Sequence, residues 1–352
     1  MGVRRWRGIA ATAGGGLALT LVIAAPAPAL SRPAGSAAPA ELVYVANADS
    51  GPVTAYAANG TGNVTPARTV DNPNTAGTIW IPWGVTFDAT GHLYVQTFLS
   101  NATTFVFPPG AHGGTPPSRI FEVQAPDNSS IAVDAHGFEY VLGGESGSVL
   151  AVAPPGASGV PGNSYFVPPV RTIGLDGSFG PWPDLLSVDS KNEVLAAVGR
   201  FQRNAIEVFA GGAGGGASPV RVISGPHTGL DSCGPGCKVS ITFSPFTGRI
   251  YAAVSSGATT HISVFAGNAS GDTRPVRTIE GPATGLAGMF ITGIADSQVN
   301  GTIYAMVKTS QFGTGRITAY GRLADGNVAP LRSFTDGGSG FADAAGIAIT
   351  RW

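Results

Sequence analysis

Two cysteines, five histidines and three lysines (Lys191, Lys238, Lys308) are all that this 352-residue chain holds of the residues that most often carry metal, redox and phosphate chemistry. Lysine is so sparse, and basic residues interleaved with aromatics so absent, that the electrostatic footprint of a nucleic-acid binder is missing. No nucleic-acid partner is expected. Beyond residue 40 no apolar run is long enough to span a bilayer, so no membrane span is expected either. Helical periodicity is also lacking there, whereas 52 glycines and 27 prolines favour many short strands joined by turns.

The first forty residues stand apart. Arg4, Arg5 and Arg7 precede the uncharged run GIAATAGGGLALTLVIAA, followed by small Ala/Pro sequence, which is the layout of a secretory signal peptide. Cleavage is expected after Ala29 or Ala40, by the ordinary export route, leaving a secreted protein. Removing residues 1–40 takes four arginines (Arg4, Arg5, Arg7, Arg32) and no acid from a chain of net charge −1, so the mature chain carries −5. In an exported chain, the close pair Cys233 and Cys237 around a Gly-Pro-Gly turn predicts a disulfide. Zinc is not expected, because no further ligands stand at zinc-like spacing.

What is present is repetition. Pro-x-Arg recurs with its arginines at Arg68, Arg119, Arg171, Arg221, Arg277 and Arg332, spaced 51, 52, 50, 56 and 55 residues apart. Each copy follows a β-rich run such as HISVFAG, and upstream of that lie two short strands around a turn, as in GVTFDATGHLYVQ. One period thus holds four strands, a to d: the GVTFD, HLYVQ, ISVFAG and PVRTI types. Four-stranded antiparallel units at this period are propeller blades. The sequence from Glu41 supplies strands b, c and d without an a, while AAGIAITRW at the other end reads as an isolated strand a. The expectation is an all-β, six-bladed antiparallel β-propeller over residues 41–352, a monomer, its first blade closed by the C-terminal strand.

Through GVTFDATGHLYV followed by TTFVF, and GIADSQVNGTIYAMV followed by RITAYG, the chain resembles the six-bladed propellers of the NHL-repeat and gluconolactonase-like group. That resemblance implies a site where the d-to-a and b-to-c loops meet the central channel. Residues just before each strand a gather there: Trp83, Asp127, Asn128, Asp184, Lys238 and Asp343, with Trp80, Trp182 and Phe290 as aromatic neighbours. Two functions follow. One is a binding or scaffold module taking an extracellular glycan, protein or small molecule on the aromatics. The other is a lactonase- or esterase-type hydrolase using a divalent cation such as calcium, which the resemblance assigns to Asp127, Asn128, Asp184 and Asp343.

Pro-x-Arg itself reads as structure. Each arginine shares strand parity with an apolar residue two places on, which puts it between blades with a buried stem and a guanidinium at the rim. The outermost strand of a blade is also where proline breaks no ladder bond.

Overall fold

The computed structural model describes residues 41–350 apart from 49–50, 72, 74–79, 98–102, 124–129, 144–148, 160–164, 176–184, 201–202, 233–236, 257–258, 311–312 and 340. Six antiparallel sheets follow one another, each running a, b, c, d. Blade 2 comprises Pro82–Phe87, Leu93–Thr97, Thr103–Phe107 and Arg119–Glu122. Blade 3 comprises Ile131–Val133, Glu139–Gly143, Val149–Ala153 and Arg171–Gly174, and blade 4 Leu186–Val188, Val194–Arg200, Arg203–Phe209 and Arg221–Ile223. Blade 5 is Lys238–Ser244, Arg249–Ser255, Thr260–Ala266 and Arg277–Ile279; blade 6 is Phe290–Asp296, Ile303–Lys308, Gly315–Tyr320 and Arg332–Asp336.

Blade 1 is assembled from both ends of the fold. Strands Leu42–Asn47, Val53–Ala57 and Arg68–Val70 are b, c and d, and Ala344–Ile349 pairs with the first of them as strand a. At its edge the Leu42 N–H donates to Thr350 Oγ1 at 2.9 Å. The chain is a six-bladed β-propeller with that closure.

Neighbouring blades are joined at the rim as well as through their apolar faces. The outer edge of every strand d meets a short stretch of the next blade's c-to-d connection in parallel: Val70 with Gly113, Glu122 with Phe166, Ile173 with Gly215, Ile223 with Gly271 and Ile279 with Gly326. Blade 6 makes the same join to blade 1 through Gly62–Val64. Strand d is therefore a partly covered edge rather than the open one expected. Proline sits just before the ladder, whose first bond comes from the next residue, as when Val220 N–H donates to Val208 O at 2.8 Å.

The repeated arginines act at the same joints. Arg119 Nη1 donates to Ala157 O of blade 3 at 2.7 Å, and Arg221 Nη1 donates to Gly267 O and Ala269 O of blade 5 at 2.9 and 3.1 Å. Arg277 Nη2 reaches Arg322 O of blade 6 at 2.8 Å, and Arg332 Nε reaches Ala58 O of blade 1 at 3.0 Å. Arg171 stacks on the Phe138 ring, its stem running beside Gly214 of blade 4. Their apolar companions Val70, Phe121, Ile173, Ile223, Ile279 and Phe334 are all buried. A planar guanidinium with five donors suits turn carbonyls that have no ladder partner.

The recurrent SGPHTGL and EGPATGL segments form the next crossover. Gly225 has φ 131° and Gly281 φ 112°, and a Cβ there would stand 2.5 Å from Asp272 and 2.6 Å from Asn327. Those side chains bind the crossover: His227 N–H donates to Asp272 Oδ1, and Ala283 N–H to Asn327 Oδ1, both at 2.7 Å. Glycine is required by conformation and by the close approach of a neighbour.

Two outcomes are expected. Ending the chain at Asp343 removes strand a of blade 1 and should replace one sharp thermal transition by a broad or absent one; a truncated protein melting as sharply as its parent would refute the closure. Arg332→Ala should cost about 1–3 kcal/mol in urea denaturation, the range for charge-assisted bonds at a joint, with Arg332→Lys recovering only part of it.

Candidate functional site

The six strands a surround the central channel. Where these strands run into the a-to-b turns, the channel holds a cavity of about 330 Å³. Apolar side chains make up most of its wall, which also carries Thr86, Ser187, Thr242, Asp134, Asp189 and Asp296 and, among the described residues, no Lys, Arg or His. The carboxylates at this end of the channel favour occupants rich in hydrogen-bond donors over anions.

Most of its acids have local work. Asp134 Oδ1 accepts from the N–H groups of His136 and Phe138, each at 2.9 Å, and its Oδ2 from Tyr140 Oη at 3.1 Å. Asp189 Oδ1 accepts from Lys191 and Glu193 N–H while its Oδ2 lies 3.7 Å from Arg221 Nη2, and Asp88, outside the cavity wall, accepts at Oδ1 from Thr90 and His92 N–H. These bonds hold the Asp88 carboxyl below its usual range despite partial burial. A short acid two residues before a turn N–H closes the a-to-b hairpin; Ser244 and Ser297 take over in blades 5 and 6. Asp296 differs in its position. It stands where the ladder register of the other blades places Phe87, Val133, Val188, Phe243 and Ile349, and so sets a carboxylate in an otherwise apolar ring.

The expected mouth lies at the opposite end, and its residues have mixed fates. Asp127, Asn128, Trp182 and Asp184 lie outside the described residues, as does Cys233. Trp80 is a core residue: it packs edge-on against Phe105 and Phe107 and donates its indole N–H to Gly51 O at 2.9 Å, so it offers no stacking face. Trp83 is half-buried in a bulge between Pro82 and Gly84. Lys238 is buried and donates from Nζ to Thr292 O at 2.7 Å, joining strand a of blade 5 to that of blade 6. Cys237 is buried and is not a free thiol. Among the described residues, no three of His, Cys, Asp and Glu are grouped to hold a metal ion.

Phe290 and Asp343 do come near each other, through a residue that sequence reasoning passed over. Phe290 pairs in register with Lys308, whose buried Nζ donates to Ala342 O and Ala344 O on either side of the exposed Asp343. Burial pushes the Lys308 ammonium down to about 8, opposed by Asp343. The signal was in the sequence: a lysine closing the apolar strand TIYAMVK, in a chain with only two others. Lys238 and Lys308 serve one purpose, capping carbonyls of the adjacent inner strand where facing blades diverge.

Among the described residues, the blade 2–blade 3 seam holds the strongest acid–base perturbation of a carboxyl. Glu139 is fully buried, and Arg119 Nη1 donates to its Oε1 at 3.1 Å while Arg119 Nη2 donates to Tyr94 Oη at 2.9 Å. Burial outweighs the guanidinium, and the carboxyl is pushed up to about 7. With the folded value above the unfolded one, the native state holds the proton more tightly. Stability from this group is complete below pH 4–5 and is lost as pH rises through about 7, at up to about 1.4 kcal/mol per pH unit. Urea midpoints between pH 5 and 8 should therefore fall in the parent and fall less in Glu139→Gln; parallel curves for both would exclude Glu139 as the source.

No protein-family model matches this chain, and no curated protein matches it. Among solved structures it is similar to the WD40 beta propeller domain of Doa1, at 12% identity over 85% of this chain and 83% of that one, with TM-score 0.48. It is likewise similar to the RRP9 WD40 repeats, at 12% identity over 85% and 82% of the two chains, with TM-score 0.46.

Proposed function

We propose that this chain is an exported binding propeller that takes a glycan at the channel end bounded by the a-to-b turns. The observation that carries the reading is the cavity of about 330 Å³ whose largely apolar wall also carries Thr86, Ser187, Thr242, Asp134, Asp189 and Asp296 and, among the described residues, no Lys, Arg or His. Sugars offer many hydroxyl donors and no negative charge, which suits such a wall, and they stack on exposed aromatic faces beside it. Phe246, in the a-to-b turn of blade 5, is 47% exposed, and Val299 in the same turn of blade 6 is 57% exposed. Export follows from the arginine-led apolar run before residue 40 and brings with it a Cys233–Cys237 disulfide.

The NHL-repeat and gluconolactonase-like group is the relationship we favour among six-bladed propellers, on the strength of the Asp-capped a-to-b turns of blades 2, 3 and 4. The metal-dependent hydrolase reading gains no support from the described residues, since Asp343 is the one of its four ligands among them.

A glycan array probed with the purified chain, followed by calorimetry on the best binder, tests the proposal. Asp296→Asn and Phe246→Ala are each expected to weaken binding by about tenfold, or 1.4 kcal/mol. An array without binders, or a binder indifferent to both substitutions, would overturn it.

A further inference from the structure

The repeat gives an internal standard against which each seam between blades can be judged, and one seam departs from it. On the faces that look back at the preceding blade, the b and c strands pair an apolar residue with an aromatic one. The pairs are Val43 with Tyr56, Leu93 with Phe107, Val194 with Phe209, Ile250 with Phe265 and Ile303 with Tyr320. In blade 3 the same register pairs Glu139 with Ala153.

The opposite wall of that seam, on blade 2, departs as well. There Gln96 pairs with Thr104, where the other registers pair Leu142 with Leu150, Ala197 with Ile206, Ala253 with Ile262 and Met306 with Ile317. Gln96 and Thr104 are both fully buried, and neither amide atom of Gln96, nor Thr104 Oγ1, nor Glu139 Oε2 has a hydrogen-bond partner. The surrounding surface is apolar and small: Val106, Phe121, Ile131, Val141, Ala151 and Ala153.

Losing an aromatic ring and burying unpaired polar atoms are both destabilising, and this seam does both, the Glu139–Ala153 rung lying three rungs along the strands from that of Gln96 and Thr104. Natural sequences keep such departures where a site requires them. The unpaired set contains both donors and acceptors, so its complement must both donate and accept. A charged guest would be buried without a counter-ion, because Arg119 is already bonded to Glu139, Tyr94 and Ala157.

We propose that the seam between blades 2 and 3 is a binding site for a small neutral molecule with the hydrogen-bonding chemistry of an amide or a polyol, held by Gln96 and Thr104. The site is separate from the channel cavity and does not depend on what that cavity binds.

The test is solution NMR on the full chain, titrating acetamide and, separately, ethylene glycol, while following the Gln96 side-chain NH2 and the Thr104 methyl. Saturable shifts with either probe are expected, and which probe produces them identifies the amide or the polyol source. Gln96→Met with Thr104→Ile, the pair found at these places in blade 6, should weaken the response at least ~10-fold. Gln96→Met alone, which removes the amide and leaves Thr104 in place, provides a second variant should the first fail to fold, and it should weaken the response as well. No saturable shift with either probe would overturn the proposal, as would shifts that persist in every folded variant.

Discussion

Every other feature of this propeller depends on how each blade is attached to the next at the rim. A four-stranded blade ends in an edge whose backbone groups need partners, and a ring of six such blades diverges outward, so apolar packing is weakest where that edge lies. The chain meets both needs at one place. Each strand d gives part of its outer edge to the c-to-d connection of the following blade. Most of the repeated arginines cap carbonyls in that connection. With the rim held, the inner strands need only a few side chains, Lys238 and Lys308 among them, to bridge their facing backbones.

This attachment explains why the architecture could be read so fully from sequence while the site could not. Pro-x-Arg is dictated by backbone geometry that recurs in every blade, so it recurs in the sequence, and six copies at near-constant spacing leave little freedom of interpretation. The split first blade was legible for the same reason: a strand a left over at one end matches a strand a missing at the other. The turn aspartates were visible too, in GVTFDATGHLYV and its relatives, although their role as hairpin caps emerges only from their bonds to backbone N–H groups.

Function resists that method because it resides in departures from the repeat. Trp80 looked like a mouth aromatic because it precedes a strand a, yet it turns back into the blade against Phe105 and Phe107. In the sequence Asp296 is one more strand-end acid like Asp88, Asp134 and Asp189, and only the ladder register shows it one position earlier, in an apolar ring. Glu139 and Ala153 are unremarkable in isolation. Their meaning comes from being opposite each other where five other blades place an aliphatic and an aromatic residue.

The split first blade also bears on how the molecule reaches its folded state. Strands Leu42–Asn47 and Ala344–Ile349 are paired across more than 290 residues of sequence, the widest strand pairing among the described residues. Blades 2 to 6 each draw on a contiguous segment and can form from local pairings, whereas the first must wait for the last strand to arrive. Until then strand b of blade 1 presents an unpaired inner edge, the kind of template on which strands from other chains add. The slow step of folding and the period of greatest exposure to aggregation would thus be the same event.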